Sequence, residues 1–106
     1  MNEKLRAEGS ETPFLSVVVP IYNEVESVER LWAAIHPVME GLGRPYEVIL
    51  VDDGSRDGTR EILRRLASAN PRLRVILFRA NFGQSAAMAA GFAATRGEIV
   101  VAMDGD

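Results

Sequence analysis

The chain alternates between short β-branched runs and stretches of helical periodicity, and that alternation restricts its fold more than any other feature. Leu15-Ser16-Val17-Val18-Val19 is a compact apolar run ended by Pro20, which reads as a buried strand. From Glu24 to about Leu42, Val28, Leu31, Trp32, Ile35 and Leu42 recur at helical spacing and predict a helix. Asn23 is placed to cap it, with Glu24 and Glu26 at its positive end, and Pro37 predicts a kink or an early stop. Gly41, Gly43 and Pro45 close that unit. Tyr46 to Val51 is a second strand, and Asp57 to about Ala69 a second helix with Ile62, Leu63 and Leu66 on one face. Arg60, Arg64 and Arg65 lie mostly opposite, with Glu61 spaced to pair with Arg65. Leu73 to Phe78, Gln84 to Thr95 and Glu98 to Met103 continue the pattern as strand, helix and strand. The third helix is Ala-rich and apolar around much of its circumference, so it is expected to be buried. Strand and helix alternating through short connections predict an α/β fold, a parallel sheet with helices on both faces.

Composition narrows the function. The 106 residues suit one domain, read as residues 14–106 behind a loose polar tail at residues 1–13. A net charge of −3 offers no basic surface to a nucleic-acid backbone, so no nucleic acid is expected as a partner. The absence of cysteine excludes disulfides, thiolate metal sites and cysteine nucleophiles, and is compatible with a reducing compartment, the cytoplasm. Ala86 to Ala94, the longest nearly apolar stretch, is about half of the ~20 residues a membrane helix needs. The first dozen residues carry Glu3, Lys4, Arg6, Glu8 and Glu11 and do not read as a signal peptide.

Doubly wound sheets bind ligands outside the carboxyl ends of their strands, where the strand order reverses. The polar, non-helical residues of this chain concentrate at those ends. After the first strand come Pro20-Ile21-Tyr22-Asn23-Glu24, a turn that can present an aromatic ring, an amide and a carboxylate, or simply stop a strand and cap a helix. The second strand leaves through Asp52-Asp53-Gly54-Ser55-Arg56-Asp57-Gly58. Adjacent carboxylates at the end of a buried strand need backbone N–H groups, a cation or ligand donors around them. Asp57 is assigned to capping, and one or both of Asp52 and Asp53 to function. A calcium loop starting at Asp53 fails, because its twelfth position is Arg64 where a bidentate Glu is needed. The fourth strand leaves through Asp104-Gly105-Asp106, two carboxylates able to share a divalent cation; oxygen ligands suit Mg2+ or Mn2+. Asn81-Phe82-Gly83-Gln84 can cap the third helix or offer backbone N–H groups to an anion. His36 and Trp32 read as packing residues.

Taken in order, Pro20-Ile21-Tyr22-Asn23-Glu24, Val51-Asp52-Asp53-Gly54-Ser55, Asn81-Phe82-Gly83 and Asp104-Gly105-Asp106 resemble the family 2 glycosyltransferases of GT-A fold. The likeness is nearest to the polyprenol-phosphate branch typified by dolichol-phosphate mannose synthase, and it runs from about Phe14 to the last residue. It implies a strand order of 3-2-1-4 and a UDP- or GDP-linked sugar donor. Pro20, Tyr22, Asn23 and Glu24 would line the base and ribose site, with Asp52 or Asp53 holding the base. Asp104 would face the ribose or diphosphate, and Asp106, with Asp104, would hold the metal. The implied reaction is sugar transfer to an acceptor, a polyprenyl phosphate in that branch, at the cytoplasmic face of a membrane for a longer parent. Family members continue well past the acidic motif, so the resemblance implies the donor-binding half without the acceptor half or a complete catalytic site. The chain by itself is then expected to bind nucleotide weakly and transfer sugar poorly or not at all. The alternative is a non-catalytic nucleotide- or partner-binding fragment. An uncovered last strand, Ile99 to Met103, further predicts self-association.

Overall fold

The computed structural model describes residues 12–104; the expected tail over residues 1–11, and Asp106, lie outside the described residues. Seven elements follow one another: β1 (Leu15–Ile21), α1 (Val28–Glu40), β2 (Tyr46–Asp52), α2 (Thr59–Ala69), β3 (Leu73–Leu77), α3 (Gln84–Ala94) and β4 (Ile99–Ala102). The strands form one parallel sheet in the order β3-β2-β1-β4, the order implied by the resemblance.

Side-chain alternation divides the sheet between two layers. Val17, Val19 and Ile21 of β1, with Val48 and Leu50 of β2, pack against Val28, Trp32, Ile35 and Met39 of α1 and Leu63 of α2. Val18, Ile49 and Val51 point the other way and pack around Ala87 of α3. The central strands are sealed: Val18, Val19, Val48, Ile49, Leu50 and Val51 are all 0% exposed. At about 1.5–3 kcal/mol for each fully buried aliphatic side chain, these two strands dominate the hydrophobic stabilisation. Gly91 lets α3 lie close on the sheet, since a Cβ there would stand 2.3 Å from Cγ1 of Val18 and 3.2 Å from Cγ2 of Val51.

Local signals are overridden in five places. β1 continues through Pro20 to Ile21 instead of stopping at Val19. The Ile21 carbonyl faces β2 and the Val18 carbonyl faces β4, so Pro20 turns its missing N–H toward the β4 side, beyond the last register pair of Val18 with Ala102. Asn23 does not cap α1, which starts behind Ser27 after a turn in which Ser27 and Val28 N–H both donate to the Glu24 carbonyl. Pro37 neither stops nor ends α1; the carbonyl it leaves without a donor belongs to Ala33, on the exposed side. Glu61 pairs with Arg64 at 3.8 Å, while Arg65 reaches across to Glu29 of α1 at 2.9 Å. Finally, α3 buries only Ala87 and Gly91 fully and leaves Phe92 45% exposed.

A buried carboxylate that no local pattern singles out staples the far end of the sheet. Glu47 Oε2 accepts from the Ser16 hydroxyl and the Arg96 N–H, both at 2.6 Å. Its Oε1 lies 3.1 Å from Arg74 and 3.5 Å from Arg96. Arg74 also donates to the Ala94 carbonyl, so β1, β2, β3 and the end of α3 share one polar knot.

Candidate functional site

In a parallel sheet every strand leaves at the same end, and here the order reverses between β1 and β4. At that end lies an open cleft of about 410 Å³. The β1 exit contributes Pro20, Ile21 and Tyr22; β2 contributes Asp53; the loop after β3 contributes Asn81, Gly83 and Gln84; and the β4 exit contributes Asp104. Four residues selected from the sequence, Pro20, Tyr22, Asp53 and Asp104, thus meet in one place. Tyr22 is 45% exposed, offering an open ring face on one wall.

Asn23, Glu24 and Asp52 do not line this cleft; they build the turns beneath it. Asn23 sits at φ +50°, where its N–H donates to the Ser55 hydroxyl at 2.7 Å and its Oδ1 accepts from the Arg56 N–H at 2.9 Å. The Glu24 N–H donates to the Thr59 hydroxyl at 3.0 Å, and its carboxylate accepts from Ser27 at 2.6 Å. Asp57 completes the seam, accepting from the N–H of Val25 at 3.1 Å and from the N–H of Thr59 at 3.1 Å; the N-cap of α2 is Gly58 at φ +101°, so Asp57 braces the helix start from one residue outside the cap instead of capping it. Burial pushes the Asp57 carboxyl up, but hydrogen bonds from the Thr59 hydroxyl and from the Val25 and Thr59 N–H groups outweigh it and hold the group below its ordinary range.

The adjacent carboxylates divide their work. Asp52 is 0% exposed and accepts from the Ser55 N–H at 2.9 Å and from Arg60 at 3.3 Å. The same Arg60 nitrogen donates to the Phe78 carbonyl at 2.6 Å, tying the ends of β2 and β3 together, although helical periodicity alone puts Arg60 on the polar face. Asp53, 4% exposed, turns toward the cleft and binds the loop after β3. Its carboxylate accepts from the Phe82 N–H at 2.7 Å, from the Gly83 N–H at 3.2 and 3.0 Å, and from the Asn81 amide at 3.0 Å. The anion held by this backbone turn is therefore the chain's own Asp53. Asn81, Gly83 and Gln84 join the site as wall residues, a role that their spacing does not distinguish from capping or anion binding.

Among the described residues no group of three or more His, Cys, Asp or Glu side chains is placed to hold a metal ion by itself. A cation that bridges a diphosphate needs only one or two carboxylates, the rest of its shell being phosphate oxygen and water. Asp104 at the cleft edge fits that requirement. His36, by contrast, stacks on Trp32 with ring centroids 4.8 Å apart at the opposite end of the sheet from this chemistry.

Residues 16–106 match the family described as glycosyl transferase family 2, and the chain belongs to that family. Its curated relatives include undecaprenyl-phosphate 4-deoxy-4-formamido-L-arabinose transferases. That of Pseudomonas savastanoi pv. phaseolicola is 44% identical over 95 residues, covering 88% of this chain and 28% of the relative. That of Edwardsiella ictaluri is 40% identical over 94 residues, covering 88% and 29%. Among solved structures, the mannosyltransferase PcManGT from Pyrobaculum calidifontis, in complex with GDP-Man and Mn2+, superposes with a TM-score of 0.74 and 31% identity over 92% of this chain and 29% of that one. TarS 1-349 of S. aureus gives a TM-score of 0.71 at 28% identity, over 87% of this chain and 27% of that one. The fold, four parallel strands in the order 3-2-1-4 with helices on both faces, is that of these GT-A glycosyltransferases, and the chain spans a little over a quarter of the length of the two curated relatives. No helix among the described residues is long and apolar enough to cross a membrane.

Proposed function

We propose that this chain forms the donor site of a family 2 glycosyltransferase that takes a sugar from a nucleoside-diphosphate carrier and passes it to a polyprenyl phosphate. The convergence of Tyr22, Asp53 and Asp104 on one cleft at the point where strand order reverses carries the reading. Tyr22 and Pro20 supply an apolar wall for a planar base. Asp53 accepts from three donors, one of which, the Gly83 N–H, is shared between both oxygens, so an N–H of the base can take the place of its longer 3.2 Å contact on Oδ1. Asp104, with Asp106 two residues on, is the oxygen-donor pair for Mg2+ or Mn2+. Such a cation, when bound, neutralises the charge that gathers on the diphosphate as it leaves. The Mn2+ and GDP-Man in the PcManGT complex support a divalent cation and a nucleotide sugar here, and the undecaprenyl-phosphate transferases support a lipid phosphate acceptor.

Calorimetry tests this directly. The chain should bind GDP or UDP more tightly with Mn2+ than without it, and Tyr22→Ala should weaken binding about tenfold. Equal, negligible heats for both nucleotides with and without the cation would remove the proposal.

A second reading, attachment to another strand, is favoured by β4. Ile99, Val100 and Val101 are 47%, 41% and 41% exposed, no helix of the described residues covers them, and the strand carries no charge.

A further inference from the structure

We infer that Asn81 is a positioning residue for donor binding: it orients the Asp53 carboxylate and, with Gly54, sets the wall of the cleft. The inference rests on the donor-site reading above and assigns a role to a residue that performs no chemistry itself. Asn81 belongs to an exposed loop, yet its amide is turned inward onto a carboxylate that is only 4% exposed. There it donates twice, to the Asp53 carbonyl at 3.1 Å and to Oδ2 at 3.0 Å. The next two residues add their backbone N–H groups to the same carboxylate. One side chain is thereby gripped from two directions, by the amide on one oxygen and by the turn on both.

Gly54 determines how deep that grip sits. It holds φ +80°, and a Cβ there would stand 2.4 Å from the Ala80 carbonyl carbon and 2.6 Å from the Asn81 nitrogen. The turns after β2 and β3 therefore touch backbone to backbone, with no room for a side chain between them. Removing the Asn81 amide leaves Oδ2 with the Gly83 N–H alone, so the carboxylate gains freedom about its terminal torsion. The Oδ1 lone pair that a base N–H would take over from Gly83 then loses its fixed direction. Asn81 and Asp53 line the cleft on the side away from β4, whereas Asp104 sits at the β4 exit. Loss of the clasp should therefore affect recognition of the base and spare binding of a metal-bound pyrophosphate.

The test uses Asn81→Ala and the isosteric Asn81→Asp, with GDP, UDP and inorganic pyrophosphate each titrated in Mn2+, and hydrogen exchange of the Phe82 and Gly83 amides followed by NMR. For the nucleotide the wild-type chain prefers, N81A should bind about tenfold more weakly, as expected for a lost hydrogen bond to a charged group. N81D should bind more weakly still, because it sets a second carboxylate beside Asp53. Pyrophosphate affinity should stay within twofold, and exchange at the two amides should rise at least tenfold. Equal weakening of nucleotide and pyrophosphate, or an N81D chain that matches wild type, overturns the inference. Wild-type discrimination of nucleotide over pyrophosphate that survives N81A refutes the positioning role alone. A wild-type chain that binds nucleotide and pyrophosphate alike refutes the donor-site reading, and the positioning role with it.

Discussion

Replacing Glu47 with alanine should cost the fold about 3 kcal/mol at neutral pH. The carboxylate is 3% exposed and anchors the Ser16 hydroxyl, the Arg96 N–H and two guanidinium groups. Removing one partner of a buried pair typically costs about 3–5 kcal/mol, because the other charge is left stranded. Here Arg74 and Arg96 are 39% and 52% exposed and can partly rehydrate, so the lower end of that range applies. A domain of this size holds roughly 5–15 kcal/mol in total, so the loss is a large fraction of the whole. In urea it should lower the midpoint by about 2–3 M, for a slope of about 1–1.5 kcal/mol/M. The pH dependence has a definite sign. Burial alone raises the Glu47 pKa, but the Ser16 hydroxyl, the Arg96 N–H and the two arginines together hold it below the ordinary glutamate value. A folded pKa below the unfolded one means that the stabilisation is complete above about pH 4.5 and disappears as the pH falls through the folded value. Urea unfolding of wild type, Glu47→Ala and Glu47→Gln at pH 7 and pH 3 measures this. E47A should approach wild type at the acid end, and E47Q should fall between them at pH 7. A gap below 1 kcal/mol at pH 7 would show that the knot is not a net stabiliser, and a gap that widens as the pH falls would show that the ionised carboxylate is not what stabilises it.

Gly91→Ala should destabilise the chain by about 1–3 kcal/mol despite the helix propensity gained, because its methyl meets Cγ1 of Val18 at 2.3 Å; the double variant with Val18→Ala should recover part of that in thermal melts. Asp104→Asn should abolish most of the Mn2+-dependent part of nucleotide affinity and leave the cation-independent part intact, as read by paired titrations with and without the metal. If the open edge of β4 drives association, sedimentation velocity should show concentration-dependent self-association that Val100→Lys suppresses; a wild-type monomer at every concentration refutes it.

The fold is legible in the sequence because its signals are local. Alternating apolar runs at β1 and β2, and the helical recurrence of Val28, Trp32 and Ile35, are consequences of side-chain period and report their own burial. The strand exits are legible for the same reason: a run rich in Asp, Gly and Asn ends a strand and turns the chain. Where neighbours in sequence compete with neighbours in space, local signals mislead. Asn23 has the chemistry of a helix cap, but Ser55 and Arg56, more than thirty residues on, claim its groups. Glu61 has the spacing for Arg65, but Arg65 finds Glu29 across the helix pair.

The order of residues by itself determined the layered architecture, the end of the sheet where chemistry collects and the acidic identity of that chemistry, since each follows from periodicity and turn composition. Only the tertiary structure decided which acid serves which purpose: Asp52 sealed beneath Arg60, Asp53 clasped by Asn81 and its turn, Asp104 at the cleft edge, Glu47 knotted at the far end. The physical reason is separation. A carboxylate's role is set by the donors that surround it, and for Asp53 and Glu47 those donors come from 27 to 49 residues away, where no local pattern registers them.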